Sequence, residues 1–147
     1  MIKKSSKVFL TSLMLILTLS AMALLTGCGG TPTLEDYFND NPKEQETLDA
    51  ELNKTNKIME QSGMSFAIDI KENQLTYTLK LGEMYKDQDM EDIRQFMDQY
   101  LDSVSTNYET IAKTMEDTTK IEGITVRVIC LDPDDAEICS KEYKASK

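Results

Sequence analysis

The side chains available for chemistry in this 147-residue sequence are an uneven set. Histidine is absent, which removes Ser-His-Asp and Cys-His catalysis and the commonest transition-metal ligand. Three cysteines remain, Cys28, Cys130 and Cys139, with 26 Asp and Glu residues and two arginines, Arg94 and Arg127. The acids cluster twice, as Asp132, Asp134, Asp135 and Glu137 and as Asp87, Asp89, Glu91 and Asp92. Calcium accepts such oxygens, but neither cluster has the ligand spacing or the glycine of an EF-hand loop. The plainer reading is a solvated turn and a helix start. An arginine among Thr76, Thr78 and Thr125 on a strand face could hold an anion; an ordinary exposed strand residue is the simpler reading. No metal, cofactor or catalytic residue is expected, and a hydrolase would have to work with carboxylates alone.

Cys130 and Cys139 flank "LDPDDAEI", a turn sequence between two β-like runs. Whether they can bond depends on the parity of that loop. If Cys130 lies opposite Cys139, Leu131 faces Ile138, Val126 faces Tyr143, and a disulfide is possible. If the loop is odd, Cys139 points away from Cys130, and the two stay free. Neither sits in a C-x-x-C setting, which disfavours a redox-catalytic role.

Cys28 has a different neighbourhood. "MIKKSSK" is a short basic segment, and residues 8–25 follow as 18 uncharged residues. That length allows an uncleaved membrane anchor. Small residues after an apolar run instead mark a cleavage site. Leu25-Thr26-Gly27-Cys28 resembles the bacterial lipobox, in which the cysteine sulfur takes a diacylglyceryl group and a signal peptidase cuts before it. The resemblance implies a lipoprotein signal peptide at 1–27 and Cys28 as the lipidated N-terminus of a 120-residue mature chain. That chain would be held on the extracytoplasmic face of the cell membrane by buried acyl groups such as palmitate. The acidic, Trp-free composition favours a Gram-positive source.

Residues 1–27 hold three of the 16 Lys and Arg residues and none of the 26 acids, so the remainder carries −13. Such a domain repels nucleic-acid phosphates, and no nucleic-acid partner is expected.

The elements that must position these residues follow from spacing. Residues 28–33, "CGGTPT", read as a tether to a small α+β domain at 34–147. Thr33 is expected to cap a short helix, and Asn41 a second one with Pro42 at its first position and Gly63 beyond its end. From Met64 to Leu81 apolar residues alternate, with the phase switching at Glu72-Asn73. This sets a hairpin with Lys71 opposite Gln74, Ile70 opposite Leu75, Ile68 opposite Tyr77 and Phe66 opposite Leu79; in the turn Asn73 tolerates a positive φ and Glu72 does so poorly, which leaves the turn type open. Steps of three and four from Met90 to Met115 predict one long amphipathic helix, with a bend or break at 103–107 and Asp89 as its cap. Residues 123–144 read as a second hairpin. The expected fold is α+β: a four-stranded antiparallel sheet of two hairpins, the long helix on one face and short N-terminal helices.

The stretches "TLEDYFNDNPKEQETLD", "NQLTYTLKLGE" and "VRVICLDPDDAEICSKEYK" resemble a domain-of-unknown-function family of small secreted lipoproteins in Firmicutes. The ending departs from that family's pattern, where a glycine usually occupies the turn. The resemblance implies no activity or ligand. The expected function is therefore a lipid-anchored, non-enzymatic binding or interaction module. Its partners would be the membrane, through the lipid on Cys28, and an envelope protein or peptide. The alternatives are an envelope enzyme working through surface carboxylates, or an enzyme inhibitor presenting residues 132–136.

Overall fold

The computed structural model describes residues 33–146. Thr33 Oγ1 accepts the Asp36 N–H at 3.1 Å and starts α1, Leu34–Asp40, with Glu35 and Asp36 favourably placed in its first turn. Proline opens α2, Pro42–Glu60. Asn41 stands at its N-cap position, as expected, and its carbonyl accepts the Glu44 and Gln45 N–H groups, but its side chain makes no capping bond: Nδ2 turns back to the Tyr37 carbonyl, at 2.8 Å. Gly63, at φ +65°, lets the chain leave α2 and enter the sheet.

β1, Met64–Lys71, and β2, Gln74–Leu81, pair antiparallel in the expected register, from Lys71 opposite Gln74 to Met64 opposite Leu81. A short 3-10 turn, Glu83–Tyr85, leads to α3, Met90–Ser103, whose first N–H groups bond to Asp89 Oδ1. The run expected as one long helix is split at Val104, where φ is −108° and ψ is 11°, and continues as α4, Ser105–Thr119. The cause is local. Ser-Val-Ser-Thr-Asn is a run of weak helix formers, and the Ser103 hydroxyl donates to the Tyr100 carbonyl at 2.7 Å, competing with the helical ladder.

β3, Thr125–Leu131, and β4, Glu137–Lys144, complete a sheet of order β1-β2-β3-β4. The sheet is mixed, not antiparallel throughout, because β2 and β3 run parallel. The helices make one pass along the sheet. β2 ends beside the 3-10 turn, whereas the end of α4 meets the β1–β2 turn, where Asn73 Nδ2 donates to the Glu122 carbonyl. One pass returns the chain to the end at which β2 began, so an adjacent β3 must run the same way.

The helices cover one face of the sheet. Phe66, Leu75, Tyr77, Leu79, Val126, Val128, Cys130, Cys139 and Tyr143 meet Leu34, Tyr37, Leu48, Met59, Ile93, Met97, Leu101, Tyr108, Ile111 and Met115 in one buried cluster. An aromatic run crosses it: Phe66 stacks on Tyr77 at 5.6 Å, Tyr77 meets Tyr108 at 6.1 Å, and Tyr108 stacks on Tyr143 at 4.9 Å. On the other face, Thr76, Thr78, Arg127, Ile129 and Ser140 are half-buried.

Candidate functional site

Cys28 lies outside the described residues. The remaining residues singled out by chemistry fall in three places.

Cys130 on β3 and Cys139 on β4 face each other directly, on the core side, 2% and 8% exposed. Val126 faces Tyr143 as expected, but Leu131 faces Glu137 rather than Ile138. A bulge beyond Cys130 takes up Ile138, and the left-handed Asp135, φ +67°, turns the chain tightly before it. Both are thiols in the structure. Interaction between the two facing sulfurs holds the Cys139 pKa down and pushes that of Cys130 up. Burial adds to the rise at Cys130, while Lys141 favours the Cys139 thiolate. Lys141 points inward beside it, with Nζ 3.2 Å from the Asp98 carbonyl and bonded to the Asp102 carboxylate.

The acid clusters are held by local partners. Asp132 Oδ1 accepts the N–H groups of Asp134 and Ala136, at 2.9 and 2.8 Å. Asp134 pairs with Lys86 and Asp135 with Lys80, fastening the 132–136 loop to the end of β2 and the segment after it. Glu91 pairs with Arg94 on the helix surface, which lowers its carboxyl pKa to about 2. Among the described residues no group of three or more His, Cys, Asp or Glu side chains is placed to hold a metal. Arg127 stands beside Thr76 and Thr125 as expected, but its guanidinium is met by Glu137 at 3.6 Å and faces Glu142 across the strands.

The third place was not visible in the sequence. Along the outer edge of β1, Phe66 exchanges two bonds with the Asn56 side chain of α2: Asn56 Nδ2 donates to the Phe66 carbonyl and Phe66 N–H donates to Asn56 Oδ1, both at 2.7 Å. The carboxamide thus reads the backbone as a neighbouring strand would. In a strand every second residue presents its N–H and C=O to the same edge, so Ile68 and Ile70 point theirs the same way. They open into a groove of about 170 Å³ lined by Gln45, Leu48, Asp49, Leu52, Ile68, Asp69 and Ile70. Asp49 and Asp69 are exposed on its rim. No sequence signal marks the groove, since Asn56 is one polar residue on a polar helix face until folding sets it against β1.

The class that this arrangement defines is a two-layer α+β domain with a mixed four-stranded sheet, the first and last described residues lying at the same end of that sheet. The chain belongs to the family described as a domain of unknown function, DUF4854, whose model matches residues 34–143. No curated protein and no solved structure matches it.

Proposed function

We propose that this chain is a lipid-anchored extracytoplasmic binding module, held by acyl groups on Cys28, that takes an extended, basic peptide segment along the outer edge of β1. The observation that carries the anchoring is Leu25-Thr26-Gly27-Cys28 directly after 18 uncharged residues. The described domain begins at Thr33, five residues after Cys28. The binding role draws on the β1 edge. An added strand gains main-chain hydrogen bonds from such an edge and specificity from alternate side-chain pockets. Ile68 and Ile70 offer the main-chain groups, and Asp49 and Asp69 the charge that selects a cation-bearing segment. The opposite edge is guarded: β4 carries a bulge, the inward Lys141 and the exposed Glu142 and Lys144, which oppose strand addition.

Mass spectrometry of the protein taken from membranes tests the anchor. Loss of residues 1–27 with an acyl-modified Cys28 is the expected result. A Cys28→Ala variant that stays membrane-bound and uncut overturns it in favour of an uncleaved anchor. A screen of extended peptides against the full chain tests the binding surface. Ile68→Pro removes one outward N–H without touching the β1–β2 ladder. It is expected to weaken a basic peptide at least about tenfold, the equivalent of about 1.4 kcal/mol. Binding that ignores Ile68→Pro but is lost on shortening residues 132–136 would favour the inhibitor reading.

A further inference from the structure

The cysteine pair has a role independent of the anchor and of the β1 edge. Thr125 N–H bonds to the Asn73 carbonyl, so alternate β3 residues Thr125, Arg127 and Ile129 turn their main-chain groups to β2. Val126, Val128 and Cys130 then turn theirs to β4, which makes Cys130 and Cys139 a hydrogen-bonded cross-strand pair. Cα atoms of such a pair stand about 5.5 Å apart. A disulfide spans roughly 4.4–6.8 Å between Cα atoms, so the backbone is already within range. Side chains of a hydrogen-bonded pair diverge more than a disulfide prefers, and the bulge after Cys130 lies where the backbone can adjust. A bridge at such a position closes with little motion and is less resistant to reduction than an unstrained one.

We infer that Cys130 and Cys139 form a reversible dithiol–disulfide clasp, closed by exchange with a disulfide-bearing thiol oxidoreductase or small-molecule disulfide, which fastens the edge strand β4 to β3. Cys139 is the attacking sulfur. It lies on the edge strand, is the less buried of the two and has Lys141 nearby; Asp98 and Glu137 oppose its charge and Arg94 lies close. Its thiolate attacks one sulfur of the donor disulfide, forming a mixed disulfide and expelling a donor thiolate. Cys130 then loses its proton and attacks Cys139 Sγ, releasing the second donor sulfur. The protein loses two protons and two electrons, and the donor disulfide gains them as two thiols.

Tryptic cleavage after Arg127 and Lys141 leaves both cysteines in one peptide, 128–141, separate from Cys28. The full chain is reduced, exposed folded to a series of oxidised-to-reduced glutathione ratios, alkylated and read by mass. The expected result is a 128–141 peptide that passes from two alkyl groups to none, with loss of two hydrogens, and returns on raising reduced glutathione. In the single variants, Cys130→Ser is expected to trap glutathione on Cys139 about tenfold faster than Cys139→Ser traps it on Cys130. A peptide that stays doubly alkylated in the folded chain, at ratios that close it in urea, overturns the clasp. Faster trapping on Cys130 overturns the assignment of Cys139 as the attacking sulfur. The wild-type titration stands even where a variant fails to fold.

Discussion

Tyr77 sits at the centre of the aromatic run, and among the described residues its hydroxyl is buried with no hydrogen-bond partner. Burial pushes the phenol well above its usual pKa, so it stays neutral. An unpartnered buried hydroxyl is a net cost, and removing it while keeping the ring removes that cost. Tyr77→Phe is therefore expected to raise stability by about 1 kcal/mol. Urea unfolding should show a higher midpoint at an unchanged slope, and a lower midpoint would mean that the hydroxyl has a partner such as a trapped water. Glu72 shows a different residue-scale compromise. It takes φ +51° in the β1–β2 turn, a conformation costly for a residue with a Cβ. Asn73, the turn residue that tolerates a positive φ better, does not take it. The structure needs the Asn73 side chain elsewhere: its Oδ1 accepts the Leu34 N–H at 3.0 Å and its Nδ2 reaches the Glu122 carbonyl. Three segments are joined through one side chain, and Glu72 takes the strained position.

At the scale of elements, the legible part was what periodicity encodes. The phase shift between Ile70 and Leu75 set the β1–β2 register pair by pair, because a one-residue slip would turn every core side chain outward. Cys130 opposite Cys139 was one of two registers open to the sequence. The bulge that displaces Ile138 was not legible, because an inserted residue leaves no periodic trace. The parallel β2–β3 pairing was obscured because hairpin, helix, hairpin does not say which strands become neighbours. Contacts between remote backbones were equally hidden. Gly82 N–H bonds to the Gly63 carbonyl at 2.7 Å, and a Cβ on Gly82 would lie 2.4 Å from that oxygen. This contact ties the end of β2 to the loop between α2 and β1. Gly82→Ala must move one of the two backbones, with a cost of about 1–3 kcal/mol, the range for forced overpacking. A lowered thermal midpoint checks it, and an unchanged midpoint would show that the approach relaxes freely.

For the whole molecule, the proposed anchor on Cys28 makes the point at which the chain joins the fold decide what would face the bilayer. Leu34 N–H bonds to Asn73, Glu35 N–H to the Glu72 carbonyl, and Glu72 N–H to the Glu35 carboxylate, so the chain joins the fold at the β1–β2 turn. Thr33 lies five positions after Cys28, a reach of at most about 18 Å. The eight-residue strands then rise about 27 Å to the opposite end. That end carries the Glu83–Tyr85 turn, the exposed Met84 and the 132–136 loop clasped by Lys80 and Lys86. With the proposed lipid on Cys28, so short a separation is expected to hold the Asn73–Glu122 end towards the bilayer and the clasped loop away from it, with the β1 groove on the flank between them. A fluorophore at Glu122→Cys or at Asp134→Cys, in a chain carrying Cys130→Ser and Cys139→Ser, measures this on lipidated protein in vesicles. Quenching by a headgroup-attached quencher is expected to be strong at 122 and weak at 134. Equal quenching would mean that the domain tumbles on its tether, and stronger quenching at 134 would invert the orientation.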